Sequence, residues 1–283
     1  MDKIYNYAEY KNIVYKKTDK HNLKLDLIIP KDGREGENRP CAVFFHGGGW
    51  IEGGKEDIWG FPLIIDELCL NGFAVASVSY RLVGKGGGFY QSVEDCIDAL
   101  RFLDIQDIFN IDPNRKAVFG ISAGGYMALM SAFSQDLFGK KSEISAVCDM
   151  CAPKFICMPG NPEEEVVHPV QTQKFFADFL SDSVEAPLKH LAYGIKSLCD
   201  PARLAGMYNL RPNVLIVHGE CDECVNPEAS RKFYRLLREK GIYAEYLEVE
   251  NSLHTFSGKD GQMIKPNLQT VMRAIAEFII DNT

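Results

Sequence analysis

A serine held between two glycines joins a short apolar segment to a helix-forming one, and this junction constrains the fold more than any other feature. Residues 116–119 predict a buried strand, and residues 125–133 predict a helix. Between them lies Gly120-Ile121-Ser122-Ala123-Gly124. A sharp strand-to-helix turn would hold the Ser122 hydroxyl out of the sheet, facing the N–H groups at the start of the helix. The pattern favours Ser122 as a nucleophile over a purely structural turn.

The rest of the chain alternates between strand-like and helix-like segments. Apolar residues recur at helical spacing over residues 90–104, between runs that are typical of buried strands. This alternation predicts an α/β fold with a mostly parallel central sheet and helices on both faces. Residues 12–16 and 23–30 predict antiparallel strands at the start. The other predicted elements are helices over 227–240 and 268–280 and strands over 42–45, 73–78, 145–148, 213–217 and 243–249.

A run of glycines follows the first buried strand, in the segment His46-Gly47-Gly48-Gly49-Trp50. Consecutive glycines leave backbone N–H groups unshielded, and such groups can bind an oxyanion at about 2.7–3.1 Å. The N–H of Ala123, directly after Ser122, would complete an oxyanion hole. The position of the run, with Trp50 as an anchor behind it, favours this interpretation over a flexible glycine turn.

Three acidic residues follow the strand predicted over 213–217, and the sequence ranks them without separating them fully. Asp222 is the first choice for a residue that orients a catalytic histidine, because it lies further into the loop. Val225 and Pro227 fix the exit of that loop. Glu220, which lies in the turn itself, is the second choice, and Glu223 is the third.

His254 is the histidine whose place fits a serine–acid–histidine order. It follows the strand predicted over 243–249 and lies 32 residues after Asp222, which leaves room for one helix and one strand. His46 and His218 follow buried strands, where an imidazole more often bonds neighbouring backbone. The other histidines, in loops or irregular segments, are His21, His168 and His190.

Taken in order, these motifs resemble those of the α/β-hydrolase fold carboxylesterases over about residues 22–280. Two groups are similar: the hormone-sensitive-lipase-like group, and the feruloyl and acetyl esterase-like (BD-FAE-type) group. Val83-Gly84 follows Tyr80-Arg81-Leu82 where the lipase-like group usually continues with Ala-Pro-Glu, which favours the second group. The resemblance implies Ser122 as nucleophile, His254 as base, Asp222 as orienting acid, and the N–H groups of Gly47, Gly48 and Ala123 as oxyanion donors.

The expected function is that of a serine carboxylesterase, with a small-molecule ester as its partner. Short acyl chains are expected, because no broad apolar tract suggests a lipid groove, and acetylated or feruloylated carbohydrates are one candidate class. An amide-type acyl hydrolase with the same side chains (a formamidase or a small exopeptidase) is an alternative. A hydrolase-like binding protein without turnover is a second alternative, although its intact serine, acid and histidine would be unusual. The sequence leaves it open whether the protein forms a homo-oligomer.

Composition bears on the size of the domain, on nucleic-acid binding and on membrane contact. The chain has 283 residues, of which 46% are hydrophobic, so one large α/β domain with an insertion is expected. The net charge of −8 argues against nucleic-acid binding, which depends on clustered Lys and Arg. No apolar stretch reaches the roughly 18 residues of a membrane helix, and the amino-terminal segment has no hydrophobic signal region. A cytoplasmic protein without membrane contact is therefore expected.

Nine cysteines, an odd number, are expected to be reduced thiols. Two pairs have Cys-x-x-Cys spacing, Cys148 with Cys151 and Cys221 with Cys224, which makes a zinc site conceivable. However, Cys148 occupies an apolar strand position, where a free thiol behaves as a small hydrophobe. The second pair flanks Asp222, which already has an expected role. We therefore expect neither a metal nor a cofactor.

A segment over about residues 152–201 interrupts the alternation with proline-rich and acidic turns, and it predicts a cap over the Ser122 pocket. Arg81, at the end of a buried strand, is expected to pair with a carboxylate such as Asp95 and so to hold loops. The looser candidates for substrate contact are Trp50, Tyr126, Phe155, Met158 and Phe256.

Overall fold

The structure, a computed structural model, describes residues 6–19, 22–34, 36–85, 87–154, 200–207 and 211–283. Eight strands form one sheet. They are β1 (Tyr7–Lys17), β2 (Asn22–Pro30), β3 (Arg39–Phe45), β4 (Ala74–Val78), β5 (Ile111–Ile121), β6 (Ala146–Met150), β7 (Asn213–Gly219) and β8 (Ala244–Val249). Their order across the sheet is β1-β2-β4-β3-β5-β6-β7-β8.

The sheet is mostly parallel, as the alternation predicts. β1 pairs with β2 and β2 with β4 in antiparallel fashion, and every other neighbouring pair is parallel. Each predicted strand overlaps an observed one. In the centre of the sheet, Phe45 of β3 lies opposite Gly120 of β5. This register sets the glycine run after β3 beside the serine turn after β5.

Helices accompany the strands on both faces. They are α1 (Pro62–Leu70), α2 (Phe89–Ile105), α3 (Ala123–Phe133), the short α4 (Pro201–Leu204), α5 (Pro227–Glu239) and α6 (Leu268–Asn282). The predicted helices over 90–104, 125–133, 227–240 and 268–280 are confirmed. Helix α1 is absent from the predictions, because a nine-residue segment is too short for the spacing of its apolar residues to separate a helix from a strand.

Two apolar clusters fill the spaces between sheet and helices. One cluster lies against α2, α3 and α5 and includes Val118, Leu129 and Phe233, all fully buried. The other lies on the opposite face against α1 and α6 and includes Phe119, Ile65 and Ile275. The alternation of Val118 and Phe119 between the two clusters is the two-residue period of a strand that is covered on both faces.

The connections after β3 and β5 leave the sheet in opposite directions. After β3 the chain passes through α1 to β4 on one side, and after β5 it passes through α3 to β6 on the other side. Open α/β sheets bind ligands in the crevice at the carboxyl ends of two such strands. The glycine run and Ser122 both lie at this crevice.

Arg81 pairs with Asp95 of α2, which confirms the sequence-based expectation. The guanidinium donates through Nε and Nη2 to the two carboxylate oxygens, each at 2.7 Å. No described helix is both long and apolar enough to cross a bilayer. Of the cap segment expected over 152–201, residues 155–199 lie outside the described residues.

Candidate active site

Ser122 occupies a strained turn between β5 and α3. Its φ of 54° and ψ of −121° lie where residues other than glycine are seldom found. Its N–H donates to the Met150 carbonyl at 2.7 Å, and the Tyr126 N–H donates to its carbonyl at 3.1 Å. Contacts on both sides of the residue therefore hold the backbone in this conformation.

Glycine is required on both sides of the turn because the backbone of β3 passes close by. A Cβ at Gly124 would lie 1.9 Å from the Phe45 carbonyl oxygen, and a Cβ at Gly120 would lie 2.5 Å from the same atom. Real Cβ atoms do not approach backbone so closely. A side chain at either position would push the serine turn away from β3.

The glycine run after β3 lies beside Ser122, and a Cβ on Gly47 would be 3.8 Å from the Ser122 Cβ. Tyr80 holds the start of the run, since its hydroxyl donates to the His46 carbonyl at 2.8 Å. The Tyr80 ring also stacks on the His46 imidazole, with centroids 4.3 Å apart. Oxyanion binding stays a prediction for the N–H groups of Gly47, Gly48 and Ala123.

Three side chains that are far apart in the sequence meet at the crevice. The Nε2 atom of His254 lies 2.9 Å from the Oγ of Ser122, and its Nδ1 lies 2.7 Å from the Oδ2 of Asp222. They follow the carboxyl ends of β5, β7 and β8. With the proton on Nδ1 facing the carboxylate, the lone pair of Nε2 is free to accept from the serine hydroxyl.

Asp222 is buried and accepts hydrogen bonds at both of its oxygens. The N–H groups of Cys224 and Val225 donate to Oδ1 at 2.8 and 2.9 Å. Burial raises the pKa of Asp222, but hydrogen bonds from His218, His254 and the Val225 N–H outweigh it, so the pKa lies well below its usual value. The carboxylate is therefore ionised at neutral pH.

The other two acids of this loop contact backbone groups. The Oε2 atom of Glu220 accepts a hydrogen bond from the Asn251 N–H at 3.0 Å. Glu223 accepts from the backbone N–H of His254 at 3.2 Å. The structure therefore brings Asp222, the first choice of the three, to the His254 imidazole. Glu223 steadies the His254 backbone, a contact that sequence reasoning missed.

His218 is a second histidine that reaches Asp222. Its Nε2 contacts the Val225 carbonyl at 3.1 Å, as expected for a histidine after a buried strand, but it also lies 3.0 Å from the Asp222 Oδ2. Sequence reasoning missed this second contact. The signal was the four-residue spacing between His218 and Asp222 across the turn at Gly219.

The candidate substrate contacts divide between the two faces of the sheet. Trp50 and Tyr126 are buried together, with ring centroids 5.4 Å apart, and both pack against Phe89. Phe256 is buried in the cluster on the opposite face. Phe155 and Met158 lie outside the described residues. Substrate contact by any of these side chains stays a prediction.

The described thiols are free, and the two Cys-x-x-Cys pairs differ in their exposure to solvent. Cys148 and Cys151 are buried, while Cys221 is partly exposed and Cys224 is exposed. Burial raises the pKa of Cys148 and of Cys151, so both stay protonated. Within the described ranges, Cys151 lies near His218 and Asp222, and Cys224 lies near Asp222 and His254.

The sheet order, the serine turn and the carboxyl-end crevice define an α/β hydrolase. Within that class, the chain belongs to the BD-FAE family, whose model matches residues 25–237. The chain is 28% identical to a probable isoprenylcysteine alpha-carbonyl methylesterase of Oryza sativa subsp. japonica, over 84% of this chain and 56% of that protein. It thus spans about half the length of the curated relatives it matches.

Solved structures of esterases share the fold. The thermophilic esterase Est2 of Thermogutta terrifontis superposes with a TM-score of 0.75 at 22% identity, covering 95% of this chain and 91% of that one. A truncated carbohydrate esterase from gut microbiota gives a TM-score of 0.72 at 17% identity, covering 100% of this chain and 98% of that one.

Proposed function

We propose that the protein hydrolyses carboxylic esters through an acyl-enzyme on Ser122. The observation that carries this function is the continuous contact from the Ser122 Oγ through His254 to Asp222, at 2.9 and 2.7 Å. A nucleophile within hydrogen-bond reach of a base, with the base oriented by a third group, is the signature of nucleophilic catalysis. Membership of the BD-FAE family agrees with it.

The chemistry follows in two halves. His254 accepts the Ser122 proton as Oγ attacks the ester carbonyl, and the N–H groups of Gly47, Gly48 and Ala123 stabilise the oxyanion that forms. The alcohol leaves with the proton that His254 returns. Water then attacks the acyl-enzyme through the same steps, with His254 again as base, and the acid is released. Asp222 stabilises the imidazolium in both halves.

The substrates we propose are short-chain acyl esters, including acylated carbohydrates. Est2 has been solved with butyrate and with propionate bound, and the gut enzyme of similar fold is a carbohydrate esterase. The plant relatives are named for a methylesterase activity, which makes a methyl ester of a carboxylic acid a further candidate.

Ser122→Ala tests the function. We expect it to lose nearly all turnover of p-nitrophenyl acetate, because removing a triad nucleophile costs on the order of 10⁶-fold in kcat. A fluorophosphonate probe should label the native protein at Ser122 and leave the variant unlabelled. Unchanged turnover in a folded Ser122→Ala would refute the mechanism. A native protein that neither turns over esters nor takes the label would instead be a binding protein.

A substrate panel tests the finer proposal. We expect a higher kcat/KM on acetyl than on palmitoyl p-nitrophenyl esters, and measurable release of acetate or ferulate from acylated sugars. Methyl esters and a formamide belong in the same panel, with Ser122→Ala as the blank. Faster hydrolysis of the palmitoyl ester would overturn the short-chain preference, and a clear preference for the formamide would favour an amide hydrolase.

A further inference from the structure

His218, the penultimate residue of β7, is fully buried and has contacts at both ring nitrogens. Its Nδ1 lies 2.6 Å from the Oγ of Ser230, a fully buried residue of α5. Its Nε2 lies 3.1 Å from the Val225 carbonyl oxygen and 3.0 Å from the Asp222 Oδ2. A buried imidazole with this many partners is held in one orientation.

The chemistry of these partners fixes where the protons are. The Val225 carbonyl and the ionised Asp222 carboxylate can only accept, so Nε2 of His218 must carry a hydrogen. The neutral ring then has a lone pair on Nδ1, which accepts from the Ser230 hydroxyl. The Nε2 atom lies within reach of two acceptors, the Val225 carbonyl and the Asp222 carboxylate, which belong to the last and first residues of one turn.

The same carboxylate oxygen serves both imidazoles. Oδ2 of Asp222 lies 2.7 Å from Nδ1 of His254 on one side and 3.0 Å from Nε2 of His218 on the other. Oδ1 is occupied by backbone N–H groups. The carboxylate cannot rotate about its side chain without breaking a contact on each oxygen, and His218 supplies one of them from the rigid end of a strand.

We propose that His218, itself held by Ser230, is a positioning residue that fixes the Asp222 carboxylate toward His254 during ester hydrolysis. The inference rests on the proposed function and extends the three-residue array to five: Ser230, His218, Asp222, His254 and Ser122. His218 touches no reacting atom. It acts through Asp222, by holding the carboxylate in the plane that His254 needs and by withdrawing part of its negative charge.

The surroundings of His218 keep its ring neutral. Burial lowers the pKa of His218, the hydrogen bond to Asp222 raises it, and the Lys154 ammonium lowers it further, so the net direction is down. Among the described residues, the titratable groups around it are Asp149, Cys151 and Lys154 from the β6 side, together with Asp222. Lys154 is itself buried and paired with Asp149 at 2.8 Å. A neutral His218 ring is therefore favoured, with one donor and one acceptor nitrogen.

Two matched variants separate positioning from simple packing. His218→Gln carries an amide N–H at about the depth of Nε2, so it can still donate to Asp222. His218→Asn is one methylene shorter and can meet Ser230 only. We expect His218→Asn to lower kcat by about 10- to 100-fold with little change in KM, the size of effect seen when a residue that orients a metal ligand is lost. His218→Gln should recover most of that loss. Rates are normalised to sites labelled by a fluorophosphonate probe.

The pH profile provides a readout that packing would not move. With one donor fewer, the Asp222 carboxylate attracts the His254 proton more strongly, so the acid limb of kcat/KM should move to higher pH in His218→Asn. It should stay in place in His218→Gln. A folded His218→Asn with native kcat and acid limb would overturn the proposal, and so would equal losses in the Asn and Gln variants.

The native protein supplies a measurement that does not depend on a variant folding. Correlation of imidazole nitrogens and hydrogens by NMR should give His218 as the Nε2–H tautomer across the neutral range. Protonation on Nδ1 would overturn the inference. If the native protein hydrolyses no ester, the proposed function fails, while the tautomer still reports on His218.

Discussion

At Ser122, backbone contacts hold the residue in the conformation that the site requires. A residue with a Cβ is held at φ 54° because its neighbours at 120 and 124 have none and can lie against the Phe45 carbonyl. Strain of this kind costs on the order of 1–3 kcal/mol and persists only where the surroundings over-determine it. The N–H to the Met150 carbonyl and the helix that begins at Ala123 supply that constraint.

The three acids of the loop after β7 can be told apart by amide substitution. We expect Asp222→Asn to lower kcat by roughly 10⁴-fold, because an amide in place of the carboxylate favours the wrong tautomer of the histidine. Glu220→Gln should stay near the native rate, since its partner is the Asn251 backbone. Glu223→Gln should show a small loss, because Glu223 holds the backbone N–H of His254 and not its imidazole.

Initial rates with p-nitrophenyl acetate, normalised to labelled sites, measure this series. A Glu220→Gln variant that is slower than Asp222→Asn would contradict the assignment of the acid.

Sequence order alone was enough to select Ser122, Asp222 and His254 as candidates, because each follows a recognisable buried strand. It could not select His218 as a partner of Asp222. A histidine after a strand usually bonds backbone, and here the Nε2 that contacts the Val225 carbonyl also lies 3.0 Å from the Asp222 Oδ2. The role of Ser230 was also hidden, since a serine within a helix gives no sign of which buried nitrogen it meets.

At the scale of elements, ion pairs link helix α2 to β1 and to the segment after β4. Asp95 is fully buried and accepts from both the backbone N–H and the guanidinium of Arg81 and from Lys16. Its neighbour Asp98 is partly exposed and pairs with Lys16 and Lys140. The two acids therefore offer a fully buried and a partly exposed carboxylate–cation contact on one helix.

Asp95→Ala should destabilise the fold far more than Asp98→Ala. Removing Asp95 takes away the buried carboxylate that holds the Arg81 guanidinium at 2.7 Å and leaves it only the more distant Glu94 at 3.6 Å. Breaking a buried pair costs about 3–5 kcal/mol. Asp98 and its two lysines keep about a fifth of their side-chain surface exposed, so Asp98→Ala should cost less than Asp95→Ala. Urea unfolding followed by circular dichroism measures both. Equal losses in the two variants would show that burial of the Arg81–Asp95 pair does not matter.

The elements themselves were largely predictable, and the exceptions have local causes. Strand β5 begins at Ile111, five residues before the predicted strand, because Asp112-Pro113-Asn114 looks like a turn. The observed pairing with β3 shifts register there, between Arg39 and Cys41, so the strand continues through an irregularity. A bulge depends on the partner strand and leaves no mark in the sequence of either strand alone.

At the scale of the whole molecule, an excess of acidic residues is arranged so that many carboxylates prefer to be ionised when folded. Six carboxylates have a pKa below the ordinary value, because hydrogen bonds and nearby cations lower it by more than burial raises it. They are Asp32, Glu56, Glu94, Asp98, Asp222 and Glu228. In the opposite sense, Lys16 and Lys55 have raised pKa values because of their acidic partners, although burial lowers them.

Stability should therefore fall on acidification. A carboxylate whose pKa is lower in the folded state stabilises the protein fully above its unfolded value of about 4, and this stabilisation is lost as the pH falls below that value. The raised lysines stabilise fully below their unfolded value of about 10.4 and cease to do so above it. We expect a nearly constant Tm between about pH 5 and 9 and a decline below about pH 4.

Calorimetry at constant ionic strength measures this dependence, with added salt as a control that weakens the exposed pairs more than buried Asp222. A Tm that is constant or rises on acidification would contradict it.

The fold class could be predicted at this scale because alternating strands and helices allow few arrangements. The identity of the substrate could not, since a crevice at the ends of β3 and β5 is common to the class. The type of reaction can be inferred from the residues at the crevice. The choice of substrate depends on the side chains that enclose the acyl and alcohol groups. Sequence reasoning assigned part of that role to residues 152–201, most of which lie outside the described structure.

The turn from His218 to Val225 closes on itself, because the imidazole returns to the carbonyl and the carboxylate of residues seven and four positions further on. Such a loop has a fixed length. Gain or loss of a single amino acid inside it would open the ring, so among relatives that keep both histidines, insertions and deletions should fall after Val225. An engineer who wishes to lengthen this loop should extend it beyond the same point.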